Sequence, residues 1–482
     1  MKIVFTASEA APFLKTGGLG DVAQALPEAL SKCKGNEVCV FLPYYKKIKE
    51  NPNIETVFVK SFAVNLSWRA QHVGVFQYKS RKRKLKIFFI DNEYYFGGDT
   101  IYGESNDGER FAYFSKAVLE ALVELNIRPD VIHCNDWQTA LIPVFLNTFY
   151  GEALGVVKTV FTIHNIEYQG KADPYFICDT LGLPAERTDT MTFDGCINFM
   201  KGAILTCDAL TTVSKTYANE IRYPYYAHGL SDVISDHSFK LHGIVNGINT
   251  EICDPNSDSA LCTNYTYQTA NKGKLDNKRE LQGRLGLARR DDVAVIGMVS
   301  RLVAHKGVDL ICAVVEELMN WDIQLVILGT GDSVYENRLR ACAQRHPDKF
   351  SLNLCFDSRL ASQIYAASDI YLMPSKSEPC GLSQLIAMRY GSIPIVNATG
   401  GLKDTVLPYE PATGEGVGFT FQSFNCDDML DALRRALHVF GGDKKAWEGI
   451  VKNAMRRNSS WDEPAKEYTQ LYNNLVANKP QV

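Results

Sequence analysis

Short apolar runs and amphipathic helical runs alternate along the whole chain. Lys2–Ala7 (KIVFTA), Val38–Pro43 (VCVFLP), Lys86–Asp91 (KIFFID), Asp130–Cys134 (DVIHC) and Val156–His164 (VVKTVFTIH) read as strands. Between them, Arg110–Leu125 places Phe111, Phe114, Ala117, Val118, Leu122 and Leu125 on one helical stripe. Near-continuous apolar strands separated by amphipathic helices predict a parallel sheet covered on both faces. The pattern restarts with a strand at Val293–Leu302, a helix over Val308–Met319 and a strand over Ile323–Gly329. The runs SLNLCF, DIYLMPS and IPIVNA follow as strands, with helices at Leu360–Ala367 and Leu382–Tyr390 between them. Asn249–Gly283, polar and rich in Asn, Asp, Ser and Thr, reads as a linker with an excursion. The chain after Cys426 reads as helical, ending in a helix that carries Tyr468, Leu471, Tyr472 and Leu475 on one stripe. Arg81–Lys84, four cations between two strand-like runs, reads as a solvated hairpin turn. The fold class is therefore α/β: two tandem Rossmann-like, doubly wound domains facing across a cleft.

Composition removes several functional classes. The 482 residues carry 51 Lys+Arg against 55 Asp+Glu, a net charge of −4, so there is no basic excess of the kind nucleic-acid binding uses. No apolar run approaches the ~20 residues of a membrane helix. The N-terminal MKIVFTASEAAP reads as a first strand and not a signal peptide. A cytoplasmic location is expected, or a plastid where a transit peptide has been removed. The 13 cysteines form no C-x-x-C pair and are read as buried, reduced thiols, with Cys33, Cys39, Cys134, Cys207, Cys312, Cys342 and Cys355 in apolar or helical settings. The 9 histidines form no H-x-H or H-E-x-x-H pair, so no metal site is expected.

In open α/β sheets, ligands sit beyond the carboxyl ends of strands, and the chemistry-bearing motifs fall there. KTGGLGD (Lys15–Asp21) follows the first strand. Gly17, Gly18 and Gly20 let backbone N–H groups approach an anion at a helix start, and Lys15 adds a full charge. The spacing is neither that of a nicotinamide fingerprint nor that of a P-loop. HCNDW ends another strand with Asp136 and Trp137, a hydrogen-bonding group and an apolar face that suit a sugar. Asp136 also reads as a helix N-cap. TIHNIEYQG places His164 and Asn165 at the same edge. In the second unit, SRLVAHKG offers Arg301 and Lys306, two cations suited to a diphosphate leaving group. SEPCGLSQLIAM brings Glu378 into a Pro-broken turn, with Gly381, Leu382 and Ser383 opening a helix. LGTGD, with Gly329, and TGGL are two further glycine turns.

Taken together, these motifs resemble the bacterial glycogen synthase and plant starch synthase family. KTGGLGD, DNEYYFGG…YGESNDGERFAYFSKA, HCNDWQTALIP, FTIHNIEYQG, the NGI of Asn246–Ile248, SRL…KG and PSKSEPCGL match its signatures in order and spacing. The resemblance runs from Lys2 to about Tyr472. It implies the glycosyltransferase B fold, with residues 1–250 on the acceptor side, 251–460 on the nucleotide-sugar side, and a terminal helix 461–482 crossing back onto the first domain. It further implies transfer of glucose from ADP-glucose to an α-1,4-glucan acceptor, with retention and with neither cofactor nor metal. By position, Lys15 and Gly18 take the glycine-loop phosphate role, and Arg301 and Lys306 take the diphosphate. Asp136, His164, Asn246 and Glu378 take the sugar, with Cys380 and Gly381 adjacent. The chain departs from the family pattern at NGINTEICDP, at Ser383 where Thr is common, and at Phe356, Ser358 and Ser362. UDP-glucose as donor stays open beside ADP-glucose.

Overall fold

The computed structural model describes residues 1–80 and 84–478. Arg81, Lys82 and Arg83, most of the predicted basic turn, lie outside the described residues. The chain divides into two compact units, Met1–Asn246 with Trp461–Val482, and Gly247–Ser460.

In the first unit the strands are β1 (Lys2–Thr6), β2 (Glu37–Pro43), β3 (Thr56–Leu66), β4 (Arg69–Tyr78), β5 (Leu85–Asp91), β6 (Val131–Asn135) and β7 (Lys158–Ile163). A small separate sheet holds β8 (Lys171–Ala172), β9 (Thr192–Phe193) and β10 (Cys196–Asn198). Then come β11 (Ala209–Thr212) and β12 (Leu241–Gly243). The main sheet runs β12-β11-β7-β6-β1-β2-β5-β4-β3. It is parallel from β12 to β5, and β4 and β3 extend it in antiparallel fashion. From β1 the chain winds outward to β2, then returns to lay β6 on the other side of β1. The topological switch point therefore lies between β1 and β6.

The second unit has β13 (Ala294–Val299), β14 (Ile323–Leu328), β15 (Phe350–Asn353), β16 (Ile370–Met373), β17 (Ile393–Asn397) and β18 (Phe419–Phe421), all parallel, in the order β15-β14-β13-β16-β17-β18. Alternation along each strand feeds two cores. Ala294, Ile296 and Met298 join one buried cluster, while Val295 joins the other. Ile323, Leu325 and Ile327 likewise oppose Val326 and Leu328. The switch point here lies between β13 and β16.

Two readings change. The polar stretch assigned to a linker contains a helix, Ala270–Leu285, whose inner face is polar. Lys274 Nζ donates to the carbonyls of Ala366, Ser368 and Tyr390, and Lys278 pairs with Asp369 at 2.8 Å. The helix is held by hydrogen bonds to strand and helix ends, so its inner face lacks the apolar stripe that marks most helices. Cys355, read as sheltered, is exposed. The terminal helix, Asp462–Ala477, buries Ala465, Tyr468 and Tyr472 within the first unit. No described helix is long and apolar enough to cross a membrane.

Candidate active site

In the first unit, the switch point gathers two carboxylates that burial disfavours. Glu9, three residues past β1, is 3% exposed. It accepts from Thr16 N and Thr16 Oγ1 at 2.7 Å, from Gly20 N at 3.2 Å and from Gly17 N at 3.3 Å. Burial raises its pKa, and these four donors oppose the rise. The glycine loop is thus folded around an internal anion, which occupies the N–H groups of Gly17 and Gly20 that the sequence reading offered to a ligand. Lys15 and Gly18 remain exposed, Lys15 in an ion pair with Asp21 at 2.7 Å. Sequence reasoning passed over Glu9. The available signal was an acidic residue just beyond a first strand and directly before a glycine turn.

Asp136 directly follows β6 at φ 56°, ψ 178°, a conformation that L-residues rarely hold. Its side chain does not cap the turn that follows it. Instead Oδ1 accepts from His164 N at 2.7 Å and from Asn165 N at 3.3 Å, which ties the ends of β6 and β7 together. Burial pushes its carboxyl up to about 7, against the pull of those two bonds, and the negative field of Glu9 adds to the rise. His164 Nε2 lies 2.9 Å from Asn135 Oδ1. An amide oxygen only accepts, so Nε2 carries the proton. Burial lowers the His164 pKa to about 3, so the ring works as a neutral donor. Asn165 turns its Oδ1 back onto Glu167 N at 3.0 Å. Trp137 is half-buried, packs edge-on to Phe111 with ring centroids 5.2 Å apart, and also meets Phe199 in an aromatic cluster. Asn246, the last residue of this unit, is buried with its Oδ1 unpartnered among the described residues.

In the second unit, Lys306 follows β13 and Glu378 follows β16, on the two sides of the switch point. Lys306 Nζ donates to Glu378 Oε2 at 2.7 Å, and Ser375 Oγ donates to the same oxygen at 3.0 Å. Gly307 makes the approach possible: its φ is 75°, and a Cβ there would stand 2.1 Å from Pro374 O. Gly400 does the same for the Glu378 loop, with φ 45° and a notional Cβ 2.0 Å from Glu378 O. Arg301 is exposed and forms no ion pair with any described residue. Gly329, after β14, lies against Ser300 O, which keeps the neighbouring strand ends close. Cys380 is buried, Gly381 has φ 74°, and Leu382 precedes the helix Ser383–Arg389, one residue shorter at each end than the sequence suggested. The structure thus joins Lys306 to Glu378, and Asp136 to His164 and Asn165.

Residues 2–236 match the starch synthase catalytic domain family, and residues 284–447 match glycosyl transferases group 1. A glycogen synthase of Clostridium acetobutylicum is 47% identical, over 99% of this chain and 100% of its own. The chain belongs to the glycogen and starch synthase family of glycosyltransferases. A glycogen synthase of Streptococcus agalactiae serotype III is 45% identical over 98% of this chain and all of its own. The catalytic domain of starch synthase IV from Arabidopsis thaliana, bound to ADP and acarbose, has a TM-score of 0.91 at 33% identity, over 99% of each chain. A sucrose-phosphate synthase from Thermosynechococcus elongatus, at 16% identity and a TM-score of 0.61, shares the fold. Membership of the synthase family agrees with two Rossmann-like units whose candidate groups cluster at strand ends, the arrangement of the glycosyltransferase B fold.

Proposed function

We propose that this glycogen/starch synthase takes glucose from ADP-glucose and adds it, with retention, to the 4-hydroxyl at the non-reducing end of an α-1,4-glucan. The observation that carries the reading is at the second unit's switch point: Lys306 beside Glu378 after β13, with Arg301 on the same segment, exposed and without an ion pair among the described residues. Two cations beyond β13 suit a leaving diphosphate, whose charge rises as the glycosidic bond breaks. ADP in the Arabidopsis relative supports the same nucleotide here. Lys15 is assigned to donor phosphate on the family motif.

Retention needs either a double inversion through a carboxylate or attack on the face from which the leaving group departs. Glu378 Oε2 is engaged by an ammonium and a hydroxyl, which suits an acceptor for sugar hydroxyls better than an attacking nucleophile. Front-face substitution is therefore favoured. The departing phosphate takes the proton of the acceptor hydroxyl while Arg301 and Lys306 stabilise it. His164, neutral with Nε2–H committed to Asn135, offers a sugar hydroxyl its Nδ1 as an acceptor. Asp136, Asn246, Asn165, Trp137, Cys380, Gly381, Leu382 and Ser383 complete the proposed donor and acceptor subsites. A cytoplasmic location fits the assignment.

The test is a donor panel of ADP-, UDP- and GDP-glucose with glycogen as acceptor, followed by digestion of the product with an α-1,4-specific hydrolase. Equal use of UDP-glucose would overturn the donor assignment. A product resistant to the hydrolase would overturn the linkage.

A further inference from the structure

A cluster of one thiol, one imidazole and one carboxylate lies in the second unit, on two helices that take no part in the chemistry proposed above. Glu316 sits on the helix Val308–Met319. Cys342 sits on the helix Ser333–Arg345, and His346 is the residue that ends it. One ligand atom from each of Glu316, Cys342 and His346 lies within 4.8 Å of the others. His346 Nε2 is 3.6 Å from Glu316 Oε2. Two ligands of a tetrahedral zinc ion, each ~2.1 Å from the metal, stand about 3.4 Å apart, so this pair needs almost no movement to share one ion.

The geometry points to a binding site for a thiophilic divalent cation of the zinc type, held by Cys342 Sγ, His346 Nε2 and Glu316 Oε2, with water in the fourth position. Each helix contributes at helical spacing: His346 lies four residues after Cys342, and Glu316 lies four residues after Cys312. Side chains four apart share a helix face. Cys312 is buried on the same helix as Glu316, and burial together with the Glu316 carboxylate pushes the Cys342 thiol up, so the thiolate forms only with the ion itself beside it. The other carboxylate oxygen of Glu316, Oε1, is taken by the Arg345 guanidinium. That contact orients the carboxylate and leaves Oε2 facing the imidazole, as outer partners do at metal sites. Thiolate and imidazole together select zinc-like ions over magnesium or calcium.

Binding is proton exchange without redox. The Cys342 S–H bond breaks, its proton leaves to solvent, and an S–metal bond forms. His346 and Glu316 give lone pairs, so the imidazole proton must reside on Nδ1. The ion clasps the two helices that follow β13 and β14. Sequence spacing concealed the site because the ligands come from separate helices, so no single-segment motif contains them.

The test is titration of the full-length protein with Co²⁺, which reports thiolate ligation through a sulfur-to-cobalt charge-transfer band and tetrahedral geometry through intense visible bands. One equivalent should bind, Zn²⁺ should displace it, and excess Mg²⁺ should not. His346→Asn, at a half-buried position, and Glu316→Gln, at an exposed one, should weaken binding at least ~10–100-fold, the range known for loss of even an outer partner. Cys342→Ser should abolish the charge-transfer band, whereas Cys178→Ser, Cys262→Ser and Cys355→Ser, at exposed thiols, should leave it unchanged. Absence of the band, or a band and affinity unaltered in His346→Asn, would overturn the site. The His346→Asn and Glu316→Gln variants decide the question even if Cys342→Ser fails to fold.

Discussion

Lys306 Nζ and Glu378 Oε2 stand 2.7 Å apart across the switch point of the second sheet, joined from β13 and β16. Both side chains are largely sheltered, at 19% and 8% exposure. The cation proposed for the diphosphate is therefore held as half of an ion pair, and Glu378 is positioned by that same group. Among the described residues, Arg301 has no such partner.

Lys306→Ala removes the cation and leaves Glu378 with Ser375 as its remaining side-chain partner. Loss of one group aimed at developing charge typically costs ~10²–10³ in turnover. Steady-state kinetics should show kcat down by that factor, with a smaller change in the KM for glycogen. Lys306→Arg should rescue only in part, because a planar fork does not replace a point charge beside Gly307. Ser105→Ala, in an exposed loop, should leave kcat near the parent value. More than about half the parent activity in Lys306→Ala at saturating donor would remove the diphosphate assignment.

Glu9 should behave as a positioning residue for the glycine loop. Glu9→Gln keeps the shape but offers an amide where two acceptor oxygens now serve four donors. The KM for ADP-glucose is expected to rise about tenfold or more, with a glycogen KM close to the parent, and Glu9→Asp should recover part of the loss. Unchanged donor KM in Glu9→Gln would show that the loop needs no internal anion.

Asp136 makes stability depend on pH in a defined direction. Its carboxyl is raised from 3.8 to about 7 in the fold, so between those values the native state holds a proton that the unfolded chain has lost. Stability contributed by this group is present at low pH and is lost as pH rises toward 7. His133 and His164 act oppositely: both fall from 6.5 to about 3, so the unfolded chain binds protons that the fold refuses, and stability drops as pH falls below 6.5. Denaturant unfolding should therefore show the parent losing stability relative to Asp136→Asn as pH rises from about 4 to about 7. Parallel pH profiles would sink the assignment.

Tyr472 OH lies 2.6 Å from His133 Nδ1, with His133 Nε2 in turn 2.5 Å from Thr162 Oγ1. This buried line ties the terminal helix to β6 and β7. Tyr472→Phe leaves a ring nitrogen without its partner and should destabilise the protein by ~1–3 kcal/mol. Truncation before Trp461 also uncovers the apolar surface beneath Tyr468 and Ala465, and should cost soluble expression or several degrees in Tm. A truncated chain that melts with the parent would refute the structural role.

The helix Val308–Met319 was legible to the residue, because its apolar period and the preceding glycine are local signals. The strands β1, β2, β5, β6 and β13 were legible within a residue or a few, because buried parallel strands are apolar on both faces. β3 (Thr56–Leu66) was not: it is mostly exposed and mixed in character, and only its pairing with β4 makes it a strand. The helix Ala270–Leu285 was hidden for the complementary reason, since Lys274 and Lys278 satisfy carbonyls far along the chain where an apolar stripe would otherwise lie. Among site residues, the local pattern located Asp136, His164, Lys306 and Glu378 at strand ends. Which of them touch was decided by strand order, which puts β6 beside β7 and β13 beside β16. Glu9 shows the limit most clearly. Hydrophobic periodicity is a property of neighbouring residues, so a sequence states it outright, whereas a buried carboxylate acquires its meaning from donors that only the folded loop brings to it.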